Sequence, residues 1–427
     1  MPAIASRQPA VATSDVVREL LPLMAVVLVV FLITGLAIPV LPLHVHHGLG
    51  LGTFVVGLVS GSQFATALVS RVWSGHYSDN RGPKRAIAAG LAAAALSGLL
   101  YLLSLGFVDA PLASVSVLLL GRAVLGGAES FVITGALSWG LALVAEQNAG
   151  KVIAWIGTAM YAAFAIGAPG GSALYERYGF STIALATALV PLAALLLILP
   201  LRPVTPIVRA RPPLASVLGA VLVPGAGLAF SSIGFGAVTT FITLLFVDRG
   251  WTPTWLALSV FAAAFMATRI AFGHLPDRVG GAKIAFVSVL IEAAGLALIW
   301  FAPCSILALA GALLSGFGYA LVYPGLGLEA VRRVPPQSRG LAMGCYTAFI
   351  DLALGIASPL LGLLAAGAGL QAVFLASSLT VLGAAIIALR LRVTSSPLSK
   401  KGARHETFCT NPRIVLADVS CTGRNHD

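Results

Sequence analysis

Charged residues are scarce in this chain. Only 10% of its 427 residues are Asp, Glu, Lys or Arg, whereas a water-soluble domain carries about 25%. Hydrophobic residues make up 58% of the sequence. A surface so poor in charge excludes a water-soluble globular fold, and we expect the lipid bilayer to be the main solvent of the protein.

Signatures of catalysis and of metal binding are also missing. No CxxC spacing, metal-ligand set or disulfide framework arises from the four cysteines, Cys304, Cys345, Cys409 and Cys421. The sequence has no HExxH, nucleophile elbow or Walker A sequence, which argues against a membrane enzyme and against ATP-driven transport by this chain alone. The cluster His44-Val45-His46-His47 has no carboxylate nearby, so we expect an interfacial polar cluster there. We predict neither a cofactor nor a metal.

The basic balance of the chain comes from its loops. The net charge is +11, which in other chains indicates a nucleic-acid partner. Here the basic residues fall in short clusters between apolar runs, not along an aromatic-bearing face. The positive-inside rule produces such clusters in membrane proteins. We therefore expect contact with lipid and none with nucleic acid.

Long apolar runs divide the chain into spans. A helix needs about 20 apolar residues to cross the hydrocarbon core. By that measure the sequence predicts twelve spans, near 19–42, 52–73, 85–106, 112–138, 152–174, 180–201, 214–245, 252–272, 283–302, 305–329, 341–365 and 370–393.

A charged signature occurs twice. Arg71-x-x-x-Gly75-His76-x-x-Asp79 returns as Arg269-x-x-x-Gly273-His274-x-x-Asp277, 269 − 71 = 198 residues later. Two mostly apolar halves of about 200 residues are typical of a duplicated transport fold. The sequence therefore predicts an all-α membrane protein with twelve transmembrane helices in two pseudo-symmetric six-helix bundles.

Domain limits and orientation follow from the spans. We expect a cytoplasmic segment 1–18, bundles 19–201 and 214–393, a cytoplasmic linker 202–213 and a disordered cytoplasmic tail 394–427. With both termini cytoplasmic, 26 − 3 = 23 of the Lys and Arg residues lie inside, the other three being Arg122, Arg177 and Arg249. The reversed topology would violate the positive-inside rule. We therefore predict a multi-pass protein of the inner (plasma) membrane with both termini in the cytoplasm.

The duplicated signature also carries a family resemblance. The first copy extends through Asn80-Arg81-Gly82-Pro83-Lys84-Arg85 and the second through Arg278-Val279-Gly280-Gly281-Ala282-Lys283. Both resemble the loop between spans two and three of the major facilitator superfamily, roughly G-x-x-x-D-R-x-G-R-[KR], although Asn80 stands where Arg is usual. The resemblance covers nearly all of residues 15–395. It implies alternating access with gating loops at Gly75, Asp79, Arg81, Gly82, Lys84, Arg85, Gly273, Asp277 and Arg278.

The resemblance also implies partners for these loops. Asp79 would contact the start of span eleven near Arg339 and Gly340, and Asp277 the start of span five near Lys151. The alternative is that the loops only orient the protein in the membrane.

Spans five and eleven carry candidate bends. The segment Gly157-x9-Gly167-Ala168-Pro169-Gly170-Gly171 resembles, in shortened form, the G-x-x-x-G-P-x-x-G-G element of proton-coupled exporters. Small residues permit close helix contact, and proline removes a backbone hydrogen bond. Span eleven has its own bend candidate at Pro359. A glycine-rich contact without meaning for export is the alternative interpretation.

Span four contains two ionisable residues, Arg122 and Glu129, within an element that resembles the family's intramembrane arginine segment. Seven residues separate them, so they share one helix face about 10 Å apart along the axis. A water or a bound solute would be needed to bridge them. Each needs a partner or a wet cavity, because a charge at this depth costs at least about 2.5 kcal/mol. A polar pair that fixes span four to its neighbours is the alternative.

Other polar residues complete the candidate site. In the family fold span eleven lines the cavity and span nine braces it, which favours Asp351 over Glu292 as a proton or substrate contact. We add as candidates Gln63, Tyr161, Tyr323 and Tyr346, each of which could instead simply hydrogen-bond between helices.

These observations predict a secondary active transporter of a small organic molecule, with protons as coupling ion, lipid as surroundings and a monomer as sufficient unit. The branch it resembles is the bacterial drug/proton antiporter and arabinose-efflux-permease-like set, which favours efflux. The alternatives are proton-coupled uptake of a nutrient or organic acid, and a non-transporting membrane sensor.

Overall fold

The computed structural model describes residues 13–144, 149–204, 214–335 and 338–395. Within these ranges only the backbone is described at 13–17, 149–151, 153–154, 214–215, 340 and 394–395. The predicted tail from 396 onward and most of the predicted linker lie outside the described residues.

Twelve long helices account for almost all of the described chain. They are α1 (Thr13–Ala37), α2 (Thr53–Arg81), α3 (Pro83–Leu105), α4 (Pro111–Leu143), α5 (Ala149–Tyr178), α6 (Phe180–Ile198), α7 (Leu214–Asp248), α8 (Leu256–Phe272), α9 (Gly281–Phe301), α10 (Ser305–Val331), α11 (Arg339–Ala368) and α12 (Leu370–Ser395). The predicted all-α fold is confirmed.

These helices present an apolar surface. Ten of the described helical segments are long and apolar enough to cross a membrane, and α5 and the shorter α8 complete the twelve. Large apolar side chains such as Leu112, Ile270 and Ile306 are more than 70% exposed. In water such a surface would aggregate, whereas lipid solvates it. Since twelve spans are an even number, the start of α1 and the end of α12 lie on one side, called here the termini side; the opposite side is the far side.

The two halves repeat the same helix pairings. In the first half α3 packs on α4 and α6, α2 on α4, and α1 on α5; in the second half α9 packs on α10 and α12, α8 on α10, and α7 on α11. The bundles then meet through α2 against α11 and through α5 against α8, which are again equivalent pairs. The fold is therefore two six-helix bundles related by pseudo-two-fold symmetry.

The contact between α2 and α11 is closest in its far-side half. A Cβ placed on Gly57 would lie 2.2 Å from the Ser358 carbonyl oxygen and 2.8 Å from the Pro359 Cα. At the end of this contact the Thr53 hydroxyl donates to the Gly362 carbonyl at 2.8 Å. Glycine is required here because the two backbones touch with no room for a side chain.

The first signature is helical where the sequence predicted a loop. The helix α2 continues eight residues past the predicted end at 73, to Arg81, and Gly82 then turns the chain with φ +90° before α3 begins at Pro83. Apolar length alone misplaced this boundary, because a helix continues outside the hydrocarbon core until a residue breaks it.

The second signature is interrupted. The helix α8 ends at Phe272, a short helix spans Leu275–Val279, and Gly280 turns with φ +111°. Pro276 occupies the position of Ser78 in the first copy, since 276 − 198 = 78. A proline clashes with the carbonyl four residues earlier, and this explains why only the second copy breaks.

The first span is longer than the predicted 19–42. After α1 the chain forms a short helix, Val40–Leu43, and a π-helical turn, His44–Gly48, so that one apolar span runs to Gly48. The proline at Pro39 caps the short helix and does not end the span. His44 stacks on the Phe180 ring, with centroids 4.0 Å apart.

We predict that Gly57→Ala lowers the melting temperature of the detergent-solubilised protein and slows transport. Overpacking of this kind costs about 1–3 kcal/mol. The matched control is Gly127→Ala, because a Cβ there would meet nothing within 4 Å. Equal melting temperatures for the two variants would contradict the close approach of α2 and α11.

Candidate functional site

Glu129 on α4 lies between α1 and α2. Its carboxylate accepts a hydrogen bond from the Thr34 hydroxyl at 2.5 Å and one from the Gln63 amide nitrogen at 2.6 Å. The side chain is buried. Both donors are neutral, and no ion pair to Glu129 is present among the described residues, so a proton can be added without breaking one.

Arg122 has a different partner. Its Nε donates to the Val59 carbonyl on α2 at 3.3 Å, and its buried Nη1 has no hydrogen-bond partner among the described residues. No ion pair joins Arg122 to Glu129 within the described part of the chain, as the axial separation led us to expect. Both residues instead fasten α4 to α2, which supports the interpretation of a polar pair that fixes span four to its neighbours.

Asp351 on α11 forms an ion pair with Arg71 on α2. The carboxylate is almost fully buried, and the arginine side chain is 24% exposed. The sequence placed Arg71 in the charged signature and Asp351 among the cavity acids, but it did not bring them together. Their ion pair joins the two bundles within the membrane.

Arg269, the equivalent of Arg71 in the second signature, lies among aromatic rings. Its guanidinium carbon is 4.8 Å from the centre of the Tyr161 ring, 5.8 Å from that of Tyr323 and 6.0 Å from that of Phe265. The rings come from α5, α10 and α8. Its Nη1 is buried and has no hydrogen-bond partner among the residues that the structure describes.

Further aromatic residues lie next to the rings that surround Arg269. The Tyr161 and Phe265 ring centres are 4.5 Å apart, and Tyr319 stacks on Phe235 at 5.0 Å. The hydroxyl of Tyr346 donates to the Tyr323 carbonyl at 2.9 Å. Of the predicted candidates, Tyr161, Tyr323 and Tyr346 thus meet in one region between the bundles, while Gln63 joins Glu129 inside the first bundle.

Glu292 is a third buried acid, on α9. Its Oε2 accepts a hydrogen bond from the Ser231 hydroxyl on α7 at 2.5 Å, and its Oε1 has no partner in the described structure. It therefore lies at the junction of α7 and α9, outside the contact between the bundles.

The glycines of α5 make a helix contact. A Cβ on Gly171 would lie 2.0 Å from the Leu36 carbonyl oxygen, and one on Gly167 2.8 Å from the backbone of Gly35. Gly170 is less tightly packed, and Gly157 has nothing within 4 Å. Part of the predicted element thus packs α5 on α1, and Pro169 lies inside a helix that continues through it.

Among the predicted gating residues, Lys84 has contacts that the structure describes. Lys84 donates to the carbonyl oxygens of Leu199 and Leu201 at 2.8 and 2.7 Å. It therefore caps the end of α6 in its own bundle. The partners predicted for Asp79 and Asp277 include Gly340 and Lys151, which are described only in their backbone, so those contacts stay predictions.

The sequence of the chain matches the model of the Major Facilitator Superfamily over residues 23–327 and again over 227–421. The chain belongs to this superfamily. An uncharacterized MFS-type transporter of Salmonella typhimurium (strain LT2) is 43% identical over 363 residues, covering 85% of this chain and 94% of that relative. The superfamily is one of transporters and not of enzymes, so this multi-pass protein is a transporter.

Solved structures of the superfamily share the fold. A D-xylose-proton symporter aligns with TM-score 0.72 and 14% sequence identity, covering 87% of this chain and 97% of the other. A bacterial homolog to the human lysosomal transporter Spinster, inward-facing and unoccupied, aligns with TM-score 0.71 and 14% identity, covering 89% and 97%. At such identities the likeness concerns the fold alone.

Two residues of this major facilitator were missed as site residues from its sequence. Thr34 is a small polar residue in an apolar span and gave no charge signal. Arg269 was noted only as the first residue of a repeated signature, although it lies inside the predicted span 252–272. A cation within a span is itself a signal, since it needs a partner at that depth.

We predict that Asp351→Asn destabilises this transporter by about 1–3 kcal/mol, because it leaves the Arg71 guanidinium without its carboxylate. The double variant Arg71→Gln, Asp351→Asn recovers part of that loss, since no unpaired charge remains. Melting temperatures of the purified variants measure both effects. The matched control, Glu176→Gln, removes an exposed carboxylate and changes little. A double variant that is no more stable than Asp351→Asn would contradict the pairing.

Proposed function

We propose that this protein is a proton-coupled secondary active transporter that exports a small organic molecule by alternating access, with Glu129 as the proton site. Glu129 carries the proposal because it is a buried acid held by neutral donors on α1 and α2. An acid without a salt-bridge partner changes charge more readily than one fixed by a cation. We place it in the inner membrane with both termini cytoplasmic, as the loop charges indicate, and take a monomer as the working unit.

The hydrogen bonds of Glu129 accommodate a proton. In the charged form the hydroxyl of Thr34 and the amide of Gln63 both donate to the carboxylate. The Thr34 oxygen also lies 3.3 Å from the Val30 carbonyl oxygen. When a proton binds Oε1, Thr34 turns its own hydrogen toward Val30 and accepts the new carboxylic hydrogen bond, while Gln63 continues to donate to Oε2. No buried polar group is left unpaired by the change.

The helix α2 connects this proton site to the contact between the bundles. It carries Gln63, which binds Glu129, and Arg71, which binds Asp351 on α11. Glu129 lies within electrostatic range of Arg122 and, with a smaller effect, of Asp351. Neutralising Glu129 removes its repulsion of Asp351, and we propose that this favours the Arg71–Asp351 pair. Protonation therefore favours the present arrangement, in which α2 and α11 touch in their far-side halves.

This preference gives the direction of proton movement in the proposed cycle, and the export of the substrate is proposed with it. In the proposed cycle the present arrangement opens to the termini side. A proton that binds from the far side favours this arrangement and then leaves on the termini side. The exported molecule moves in the opposite direction. The exporter-like element of α5, packed on α1, supports the same direction. A solved structure with this fold is that of a D-xylose-proton symporter, and this supports the proposal of proton coupling.

We predict that Glu129→Gln abolishes substrate-driven proton movement while retaining exchange of labelled substrate, and that Glu292→Gln keeps both. The measurement uses proteoliposomes that enclose a pH-sensitive dye, with sugars, organic acids and cationic drugs added outside in turn. Since added substrate enters the vesicle, antiport makes the interior alkaline and symport makes it acidic, whichever way the protein is inserted. Vesicles without protein control for passive permeation.

Loss of proton movement in Glu292→Gln but not in Glu129→Gln would contradict the choice of acid. A substrate-dependent acidification in the wild type would favour the alternative of proton-coupled uptake over export.

We predict that Thr34→Val slows proton-coupled transport several-fold, because the valine cannot accept the carboxylic hydrogen bond of protonated Glu129. Thr34→Ser is the matched control, since it keeps the hydroxyl and therefore keeps the rate near that of the wild type. The pH profile of transport in the same proteoliposomes measures the effect. Identical profiles for Val and Ser at this position would exclude the relay through Thr34.

A further inference from the structure

Tyr161 and Asp351 occupy equivalent positions in the two halves. Tyr161 lies eight residues before Pro169 in α5, and Asp351 eight residues before Pro359 in α11. Their partners are equivalent too: Arg71 lies eleven residues before Gly82, and Arg269 eleven residues before Gly280, the two glycines that turn the chain with positive φ. The contact of α2 with α11 therefore has an arginine and a carboxylate where the contact of α5 with α8 has an arginine and a tyrosine.

The substitution of tyrosine for the acid leaves Arg269 without a carboxylate. Arg71 has the Asp351 carboxylate, but no ion pair involves Arg269 within the described part of the chain. The buried acids nearby are engaged elsewhere: Glu129 with Thr34 and Gln63, and Glu292 with Ser231.

Aromatic rings hold the guanidinium of Arg269, and the Tyr161 hydroxyl takes part in a side-chain hydrogen bond with it, but not all of its donors are satisfied. A ring face attracts the positive charge, while the edge of the guanidinium carries five N–H donors. Its Nη1 is buried with no acceptor in the described part of the chain. Arg269, Tyr161 and Tyr323 are each only partly buried, so their side chains are not closed off from a ligand.

We propose that Arg269 binds the carboxylate of an organic anion whose flat apolar body packs on Tyr161, Phe265 and Tyr323. This inference rests on the proposed function, because it names the substrate class of that transporter. The bound carboxylate takes the place that Asp351 has beside Arg71. A planar guanidinium matches a carboxylate with two parallel hydrogen bonds, and the surrounding rings favour an aromatic body by stacking.

The test is ligand-induced stabilisation of the purified, detergent-solubilised protein. Benzoate and 2-naphthoate are the probes, and benzamide and 2-naphthamide are their neutral counterparts of the same shape. We expect the two carboxylates to raise the melting temperature of the wild type in a saturable manner and the two amides to have no such effect. Benzylammonium, which has the opposite charge, should also have none.

The variants locate the binding. Arg269→Gln weakens carboxylate binding at least about tenfold, because charge-assisted hydrogen bonds are lost. Tyr161→Asp restores the carboxylate found in the other half and therefore abolishes binding of the probes although Arg269 is intact. Tyr161→Phe keeps the ring and retains binding. The control Arg177→Gln removes an exposed arginine and changes nothing.

Three outcomes would overturn the inference: no stabilisation of the wild type by either carboxylate, equal stabilisation by the amides, or undiminished binding in both Arg269→Gln and Tyr161→Asp. Tyr161→Asp keeps the test decisive if Arg269→Gln does not fold, since its new ion pair compensates the cation. Binding in detergent does not depend on proton coupling. If the protein moves protons with a cationic substrate but does not bind the carboxylates, the anion site is wrong and proton coupling stands. If it binds the carboxylates but moves no protons, proton coupling is wrong and the anion site stands.

Discussion

The need to compensate charge inside the membrane governs how the helices of this transporter are joined. An ionised side chain at the bilayer centre costs at least about 2.5 kcal/mol without a partner. On α2 lie the partners of three such groups, namely Val59 for Arg122, Gln63 for Glu129 and Arg71 for Asp351. Because α2 also forms the closest contact with the other bundle, the polar groups and the interface that must move in alternating access share one helix.

Duplication supplies a symmetric frame, and small departures from symmetry give the halves different chemistry. The helix pairings repeat, and so do the arginines of the two signatures. One arginine meets a carboxylate, while the other meets aromatic rings. Because a tyrosine replaces the acid in one half, Arg71 forms an ion pair that joins the bundles, whereas Arg269 has no carboxylate partner among the described residues. Pro276 breaks the symmetry of the backbone, because it interrupts the helix within the second signature.

Much of the fold and less of the site could be predicted from the sequence. Apolar run length located twelve helices, and the repeat at 198 residues indicated two bundles. The ends of α2 and of the first span were wrong, because apolarity reports the hydrocarbon core and not where a helix stops. Glu129 and Asp351 were identified as ionisable groups, since charge in a span is conspicuous. Thr34 was missed because a hydroxyl in an apolar helix is common and mostly bonds its own backbone.

The sequence by itself determined the class of the protein, the number of spans and their duplication, since each is a property of composition or of local order along the chain. Only the tertiary structure decided which side chains meet. Arg71 and Asp351 are 280 residues apart, and their contact depends on how two bundles pack. The same holds for Arg269 among rings from three helices. The way the helices pack, which no local sequence pattern records, places Arg71 in an ion pair between the bundles and Arg269 among aromatic rings as a candidate anion site.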